Sequence, residues 1–252
     1  MSTKLKIAAA VAAAVLLSAC SSPKHEPMPL VKFTPSMEVT EVWSKGLSSA
    51  EGFLVPAVYD DMVFAAGGKT LTRLNARTGE TEWSVSFNSP ITGGVGSDGY
   101  VTAVGLWDGN LEVVDAEGKV SWEKKLTTEL ASPPVVSHGL VIARTMDTRV
   151  SAFEASSGEL QWTYQRSQPA LTVRLPTRML AHDNFLLVGQ PNGHIVILDI
   201  ASGKPMFEFQ VAQAKGVTEV ERLVDVVGAP AFSDNLVCAA AFQGAVTCVD
   251  ST

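Results

Sequence analysis

Side chains that could support catalysis are few and widely separated in this 252-residue chain. Its four histidines show no spacing typical of metal ligands: His25 lies in a polar, proline-broken stretch, and His138, His182 and His194 fall at or beside predicted turns. No G-x-S-x-G nucleophile motif is present. We therefore expect no catalytic site, no metal site and no cofactor, which predicts a protein that is not an enzyme.

The stretch Gly94–Gly99 matches the G-x-G-x-x-G string of dinucleotide-binding sites. That motif works only where a helix follows the glycines, because the helix N-terminus binds the pyrophosphate. Here the string lies between two predicted strands, so we interpret it as a strand and a turn.

Two cysteines flank a predicted hairpin turn at Gln243-Gly244. A two-residue turn would pair Cys238 with Val249, and the two sulfurs would then face opposite sides of the sheet. A disulfide would need a three-residue loop or a bulge, although an oxidising compartment would permit one. We expect Cys238 and Cys248 to be two buried thiols, with the disulfide as the alternative.

The third cysteine ends a segment typical of export signals. Lys4 and Lys6 precede an apolar run, Ile7–Leu17, of eleven residues. At about 1.5 Å per helical residue the run is too short for a bilayer core of roughly 30 Å, but it fits a signal peptide. The next residues, Leu17 to Cys20, resemble the lipobox of bacterial lipoproteins. The resemblance implies that residues 1–19 are a signal peptide and that Cys20 is lipid-modified.

A polar, proline-broken stretch follows Cys20 and is typical of a flexible tether, which we place at residues 20–36. Lipoproteins with Ser rather than Asp after the cysteine are sorted to the outer membrane, so the resemblance implies that location. No second hydrophobic run is long enough to span a bilayer. We therefore expect residues 37–252 to lie on the periplasmic face, anchored to the membrane through lipid.

Composition indicates a folded all-β chain. With 46% hydrophobic and 18% charged residues, the chain can bury a core. Twenty glycines and thirteen prolines interrupt it too often for long helices to dominate. The excess of 26 Asp and Glu over 19 Lys and Arg makes nucleic acid an unlikely partner.

An aromatic residue recurs at intervals of 40, 39, 40 and 45 residues: Trp43, Trp83, Trp122, Trp162 and Phe207. The last four each follow a turn glycine by four positions. A residue that recurs in every unit is expected to be structural, docking on the next unit. The alternative is a stacking platform for a cofactor or a sugar.

Turn signals divide each period into four short strands. In the third unit the strands are predicted at 134–137, 140–144, 149–154 and 159–165. The other inner hairpins are predicted to turn at Gly67-Gly68, Asp108-Gly109, Asn192-Gly193 and Gln243-Gly244. A sheet of this size must bury its faces against neighbouring sheets, so we predict a β-propeller with about five blades.

The Asp-x-x-(Thr/Ser)-Gly-x-x-x-Trp unit resembles the repeats of pyrroloquinoline-quinone-type propellers. Together with the lipobox, the segments Leu171–Arg174 and Glu219–Val226 resemble the BamB family of the β-barrel assembly machinery, whose propellers have eight blades. The resemblance implies a scaffold that helps outer-membrane proteins to fold and insert. Its implied partner is the central barrel protein, BamA, and unfolded outer-membrane proteins are a further candidate. We expect this chain to be C-terminally truncated relative to that family.

The same resemblance assigns partner-binding residues. Leu171, Val173 and Arg174 match one contact loop of the family, and Asp225 matches the acidic position of a second. Val227 stands where the family has another acidic residue, so that polar contact is in doubt. The residues themselves also draw attention to the second loop, because its connection is about ten residues longer than the repeat needs.

Two rival functions remain open. A quinone-dependent dehydrogenase would need a cofactor cavity, usually a calcium site, and a much longer chain. A periplasmic ligand-binding propeller is compatible with everything that the residues show.

Overall fold

The computed structural model describes residues 30–48, 54–175, 177–233 and 235–250. The chain divides into two units, Met1–Thr40 and Glu41–Thr252. Residues 30–40 of the first unit form no regular secondary structure, and every strand belongs to the second unit. The predicted signal peptide and Cys20 lie outside the described residues.

Nineteen described strands form five antiparallel sheets. Blade 1 consists of β1 (Ala57–Tyr59), β2 (Met62–Gly67), β3 (Thr70–Asn75) and β4 (Thr81–Ser86). Blade 2 consists of β5 (Ile91–Ser97), β6 (Thr102–Leu106), β7 (Asn110–Val114) and β8 (Val120–Lys125). Blade 3 consists of β9 (Val135–Ser137), β10 (Leu140–Arg144), β11 (Val150–Glu154) and β12 (Leu160–Tyr164).

Blade 4 consists of β13 (Leu180–His182), β14 (Phe185–Gln190), β15 (His194–Asp199) and β16 (Pro205–Gln210), with a short 3₁₀ turn at Pro191–Gly193. Blade 5 has three described strands, β17 (Val226–Ser233), β18 (Leu236–Ala241) and β19 (Val246–Asp250). Within each sheet the strands pair in chain order. The first strand of each blade contacts the first strand of the next blade. The prediction of a propeller with about five blades is confirmed.

The hydrophobic core lies in layers between consecutive blades. Phe64 and Leu71 of blade 1 pack with Ile91 and Leu106 of blade 2, and equivalent layers join the later blades. Middle strands are therefore covered on both faces, as in β6, where all five residues are buried. Last strands such as β8 alternate between exposed and half-buried residues, because only one of their faces meets a neighbouring blade.

Two features of the turns differ from the sequence-based expectations. The first inner hairpin turns at Gly68–Lys69, one residue later than predicted. The expectation of free thiols at Cys238 and Cys248 is wrong, because the two form a disulfide. The hairpin closes through Ala241 and Ala245 around a three-residue loop. That extra loop residue sets Cys238 directly opposite Cys248 on one face of the sheet.

Candidate partner-binding surface

The loops that join consecutive blades lie on the same face of the propeller as the turns between the second and third strands. Backbone hydrogen bonds connect the two sets: Trp107 N–H donates to Pro90 C=O (2.8 Å), Met146 to Glu129 (3.1 Å) and Phe242 to Asp225 (2.9 Å). We call this face the connection face. The loops within it are anchored to the blades by their own backbone.

The four blade connections differ greatly in length. They cover 87–90, 126–134, 165–179 and 211–225, which is four, nine, fifteen and fifteen residues. The sequence indicated only the last as long. The length of the third was not apparent, because Pro176 marked the expected start of blade 4, whereas β13 begins at Leu180. The connection face therefore carries two long loops, one on each side of blade 4.

The first contact loop, residues 171–175, presents apolar and cationic side chains outward. Leu171 is 42% and Leu175 41% exposed. Arg174 is also exposed, whereas Val173 is half-buried. The Val173 N–H donates to Oδ2 of Asp225 at 2.6 Å. Leu171, Val173 and Arg174 therefore lie together in one loop. Asp225, the fourth predicted contact residue, holds that loop through the Val173 N–H.

Asp225 lies beneath this loop and is only 6% exposed. Its Oδ1 accepts the Asn192 N–H at 3.3 Å, so one carboxylate joins the first contact loop, the 3₁₀ turn of blade 4 and the connection to blade 5. Two backbone N–H donors are thereby satisfied by one charged acceptor. Through these bonds Asp225 sets the position of the contact loop, and its own contact surface is small.

The second contact loop, residues 217–225, is ordered by a reciprocal cap. Glu221 accepts the N–H groups of Val217 and Thr218, both at 3.0 Å, while the Thr218 hydroxyl accepts the Glu221 N–H at 3.3 Å. The hydrogen bonds from Thr218 and Val217 lower the pKa of Glu221. This is the hydrogen-bond pattern of a capping box.

Apolar residues of this connection divide into two groups. Val224 and, at the start of β17, Val226 are buried at 3% and 4% exposure, and Val226 packs in the core layer between blades 4 and 5. Val217 and Val220 point outward at 96% and 60% exposure. Val227 is half-buried on β17 opposite Ala240, so at this position no carboxylate is available for a polar contact.

Backbone hydrogen bonding also joins the connection at 165–179 to the first strand of blade 5. Arg178 N–H donates to Gly228 C=O at 3.0 Å, next to a parallel bridge between Thr177 and Gly228. Behind the first contact loop lies a cavity of about 260 Å³, lined by Arg144, Gln190 and Asp225 among others. Neither Arg144 nor Gln190 was among the residues that the sequence indicated. An arginine that ends the apolar run Leu140–Ala143 was the available signal.

The recurring aromatics lie toward the opposite face, where they join successive blades. Each indole N–H donates to a backbone carbonyl in the next repeat: Trp43 to Ala76 (2.8 Å), Trp83 to Ala116 (2.9 Å), Trp122 to Ala155 (2.8 Å) and Trp162 to Ile200 (2.8 Å). Each ring also covers the turn glycine there, which has φ between 67° and 80°. The Phe207 ring has no N–H to donate, and the residue is 58% exposed.

Other candidate groups lie apart from this surface. Gly94–Gly99 forms the end of β5 and the turn into β6. His138 is exposed in a turn, and the His182 ring contacts Phe232 with centroids 3.8 Å apart.

Over the described ranges, no cluster of three His, Cys, Asp or Glu residues could hold a metal ion. In the same ranges, no helix is long and apolar enough to cross a membrane.

Together these features define a tryptophan-docked repeat propeller whose long loops gather on one face. The family described as "Outer membrane protein assembly factor BamB" matches residues 67–252. Proteins of that name from Burkholderia pseudomallei and Bordetella pertussis are 39% and 34% identical, covering 96% and 93% of this chain. This chain belongs to the BamB family.

Solved structures agree with that assignment. The crystal structure of BamB from Moraxella catarrhalis has a TM-score of 0.72 and 28% identity, covering 79% of this chain and 61% of that one. A quinohemoprotein alcohol dehydrogenase from Comamonas testosteroni, at 18% identity and a TM-score of 0.62, shares the fold alone. The chain spans 65% and 62% of the length of the Burkholderia and Bordetella relatives.

Proposed function

We propose that this chain is a non-enzymatic scaffold of the outer-membrane β-barrel assembly complex. Its relatives are named as outer membrane protein assembly factors. In this proposal the connection face binds the periplasmic domains of a BamA-like central protein, and the propeller assists folding and insertion by holding those domains in place. Unfolded outer-membrane proteins are further candidate partners.

One observation carries the proposal: Asp225 fixes two exposed loops to one rigid support. Its carboxylate binds the backbone of the first contact loop and lies at the base of the second. The loops present Leu171, Arg174 and Val217 to solvent on the same face. Arginine is enriched in protein-binding hot spots, and apolar side chains beside it help to exclude water from the contact. A pre-ordered loop also loses less entropy when it binds.

We further propose that Cys20 carries the lipid and that the propeller lies on the periplasmic face of the outer membrane. The lipobox-like residues before Cys20 and the tether after it support this location. Several acyl chains would make the anchoring stable, since each buried CH₂ contributes about 0.8 kcal/mol.

The dehydrogenase alternative receives no support from the structural neighbours, because the quinohemoprotein enzymes are only 16% and 18% identical and share the fold alone. The ligand-binding alternative differs from the scaffold in what the long loops do. A scaffold uses their exposed side chains, whereas a small-ligand receptor would use the cavity behind them without a protein partner.

Co-purification from detergent-solubilised outer membrane tests the scaffold. We expect the wild-type chain to retain the central assembly protein and the Leu171→Ala/Arg174→Ala variant to lose it. The matched control is Leu160→Ala/Arg77→Ala, which removes an exposed leucine and an exposed arginine outside the connection face. Failure of the wild type to retain the assembly protein would contradict the proposal, as would equal losses in both variants.

A further inference from the structure

The cavity behind the first contact loop contains two almost completely buried polar side chains. Arg144, at the end of β10, is 5% exposed, and Gln190, at the end of β14, is 3% exposed. Val173 and Arg174 of the contact loop line the same cavity. Its volume of about 260 Å³ exceeds the roughly 30 Å³ that one water occupies in the liquid. A chemical group larger than water therefore fits.

Two buried hydrogen-bond donors in the lining of this cavity have no protein acceptor. Arg144 Nη1 donates to the Thr177 hydroxyl at 3.1 Å, but Arg144 Nε and Gln190 Nε2 are buried without a partner. Both oxygens of Asp225 already accept backbone N–H groups. Within the described part of the chain, no direct ion pair links Arg144 to Asp225. Each unsatisfied buried donor costs about 1–3 kcal/mol, so an acceptor would be bound favourably.

The charged residues that line the cavity also favour an occupant that accepts hydrogen bonds. Arg144 and Arg174 contribute two positive charges to the cavity lining, and Asp225 contributes one negative charge. Burial lowers the pKa of Arg144 to about 10, partly offset by Asp225, so the guanidinium stays charged at neutral pH in a poorly solvated site. Guanidinium groups pair best with planar oxyanions, to which they can donate two parallel hydrogen bonds.

We propose that this cavity receives a carboxylate from the docked protein, with Arg144 Nε and Gln190 Nε2 as donors. The inference rests on the proposed scaffold function, because the cavity lies directly behind the loop that would bind the partner. At neutral pH an unmodified polypeptide carries its negative charge on carboxylates, namely Asp or Glu side chains and the chain terminus. Docking would thus combine apolar contact at Leu171 with a buried charge-assisted anchor.

Calorimetric titration of the full chain with three short peptides tests the chemistry. One peptide carries a single glutamate between blocked termini, the second carries glutamine and a free C-terminal carboxylate, and the third carries glutamine and blocked termini. We expect at least one carboxylate peptide to bind about tenfold more tightly than the neutral peptide, a difference of about 1.4 kcal/mol. Which carboxylate peptide binds identifies the source of the group.

Two variants connect the binding to the cavity. Gln190→Glu places a permanent acceptor in the cavity with Arg144 and should abolish carboxylate binding while leaving the protein folded. Arg144→Met removes the charge and introduces no new polar group, and it should also abolish binding. The control Arg166→Gln changes the net charge as Gln190→Glu does, but on an exposed ion pair with Glu208, and it should bind like the wild type.

Co-purification of the assembly protein separates the two proposals. If the wild type retains the assembly protein and Gln190→Glu loses it, the cavity anchor is supported. If Gln190→Glu, shown to be folded by its unfolding curve, retains the assembly protein as well as the wild type does, the carboxylate proposal is overturned and the scaffold stands. If the peptides bind but no assembly protein is retained, the scaffold fails and the cavity site stands. Equal binding of all three peptides would overturn the cavity proposal.

Discussion

The two faces of the propeller follow different rules. On the face opposite the connection face, which we call the turn face because it carries the glycine turns, each tryptophan donates to the next repeat and covers a glycine there, and the arrangement recurs with almost constant spacing. On the connection face, equivalent backbone hydrogen bonds anchor the loops to the blades, but the loops themselves range from four to fifteen residues. Uniform contacts can hold successive blades together wherever the tryptophan recurs. Only the irregular face can provide a surface that distinguishes one partner from another.

Corresponding positions in different blades also differ in their chemistry. The cross-strand position beside each recurring aromatic holds a hydroxyl pair in blades 1 and 3, Thr72 with Ser84 at 3.0 Å and Ser151 with Thr163 at 3.3 Å. Blade 2 instead places Glu112 opposite Glu123. The repeat therefore contains one polar position at which charge replaces a neutral hydrogen bond.

Removing a docking tryptophan should produce the largest loss of stability. Trp162 is 9% exposed and donates to Ile200 C=O, so Trp162→Ala should lower the free energy of unfolding by about 3–5 kcal/mol. Trp107, 61% exposed on the connection face, is the matched control, and Trp107→Ala should cost less than about 1 kcal/mol. Urea denaturation of both variants measures this difference. Similar losses would mean that the turn face has no special role in joining blades.

Asp225→Ala should have the second largest effect and should act on both stability and binding. It leaves the Val173 and Asn192 N–H groups without their acceptor, at a cost of about 2–3 kcal/mol. Retention of the assembly protein should fall as far as it does in Leu171→Ala/Arg174→Ala. Asp115→Ala removes an Asx-type acceptor from a regular turn and serves as the control. A destabilised Asp225→Ala protein that still binds normally would show that loop position is unimportant for docking.

Glu112→Gln should leave the free energy of unfolding unchanged at acidic pH and increase it at alkaline pH. Burial, then the charge of Glu123, raises the pKa of Glu112 to about 7, above its ordinary value near 4.5. Wild-type stability therefore falls as pH rises from about 4.5 through 7, when the buried carboxyl loses its proton. We expect Glu112→Gln to gain about 1–2 kcal/mol over the wild type at pH 8, after allowance for screening around exposed Glu123, and nothing at pH 4. Unfolding curves at both pH values check this, and a pH-independent difference would contradict the assignment.

Thr218→Val should have the smallest effect, confined to the second contact loop. It removes the hydroxyl that accepts the Glu221 N–H and leaves the Glu221 carboxylate bonds in place. Faster amide hydrogen exchange at 217–222 is expected, with global stability unchanged because the loop is exposed. Thr70→Val, on an exposed hydroxyl pair of blade 1, is the control. Unchanged exchange in the loop would show that the cap does not order it.

The sequence predicted features that depend on local spacing. The tryptophan period and the turn glycines were sufficient for the all-β propeller and its number of blades, because each docking contact repeats the same short motif. The Cys238–Cys248 disulfide was missed because one extra residue in the loop reverses which face a side chain occupies.

Contacts between residues far apart in the sequence could not be predicted from local spacing. Arg144 and Gln190 lie 46 positions apart, and only the packing of blade 3 against blade 4 brings them to one cavity. Asp225 was assigned to partner contact by resemblance. Its buried position, bound to Val173 and Asn192, became apparent only in three dimensions. Its part in partner binding remains a prediction.

Hydrogen–deuterium exchange of the full chain, with and without the purified periplasmic domains of the assembly protein, tests the central claim most directly. The account predicts slower exchange in residues 171–175 and 217–225 when the partner is present, and no change in the turns that the tryptophans cover at 76–79, 115–118 and 155–158. Protection of those turns, with the two contact loops unchanged, would contradict it.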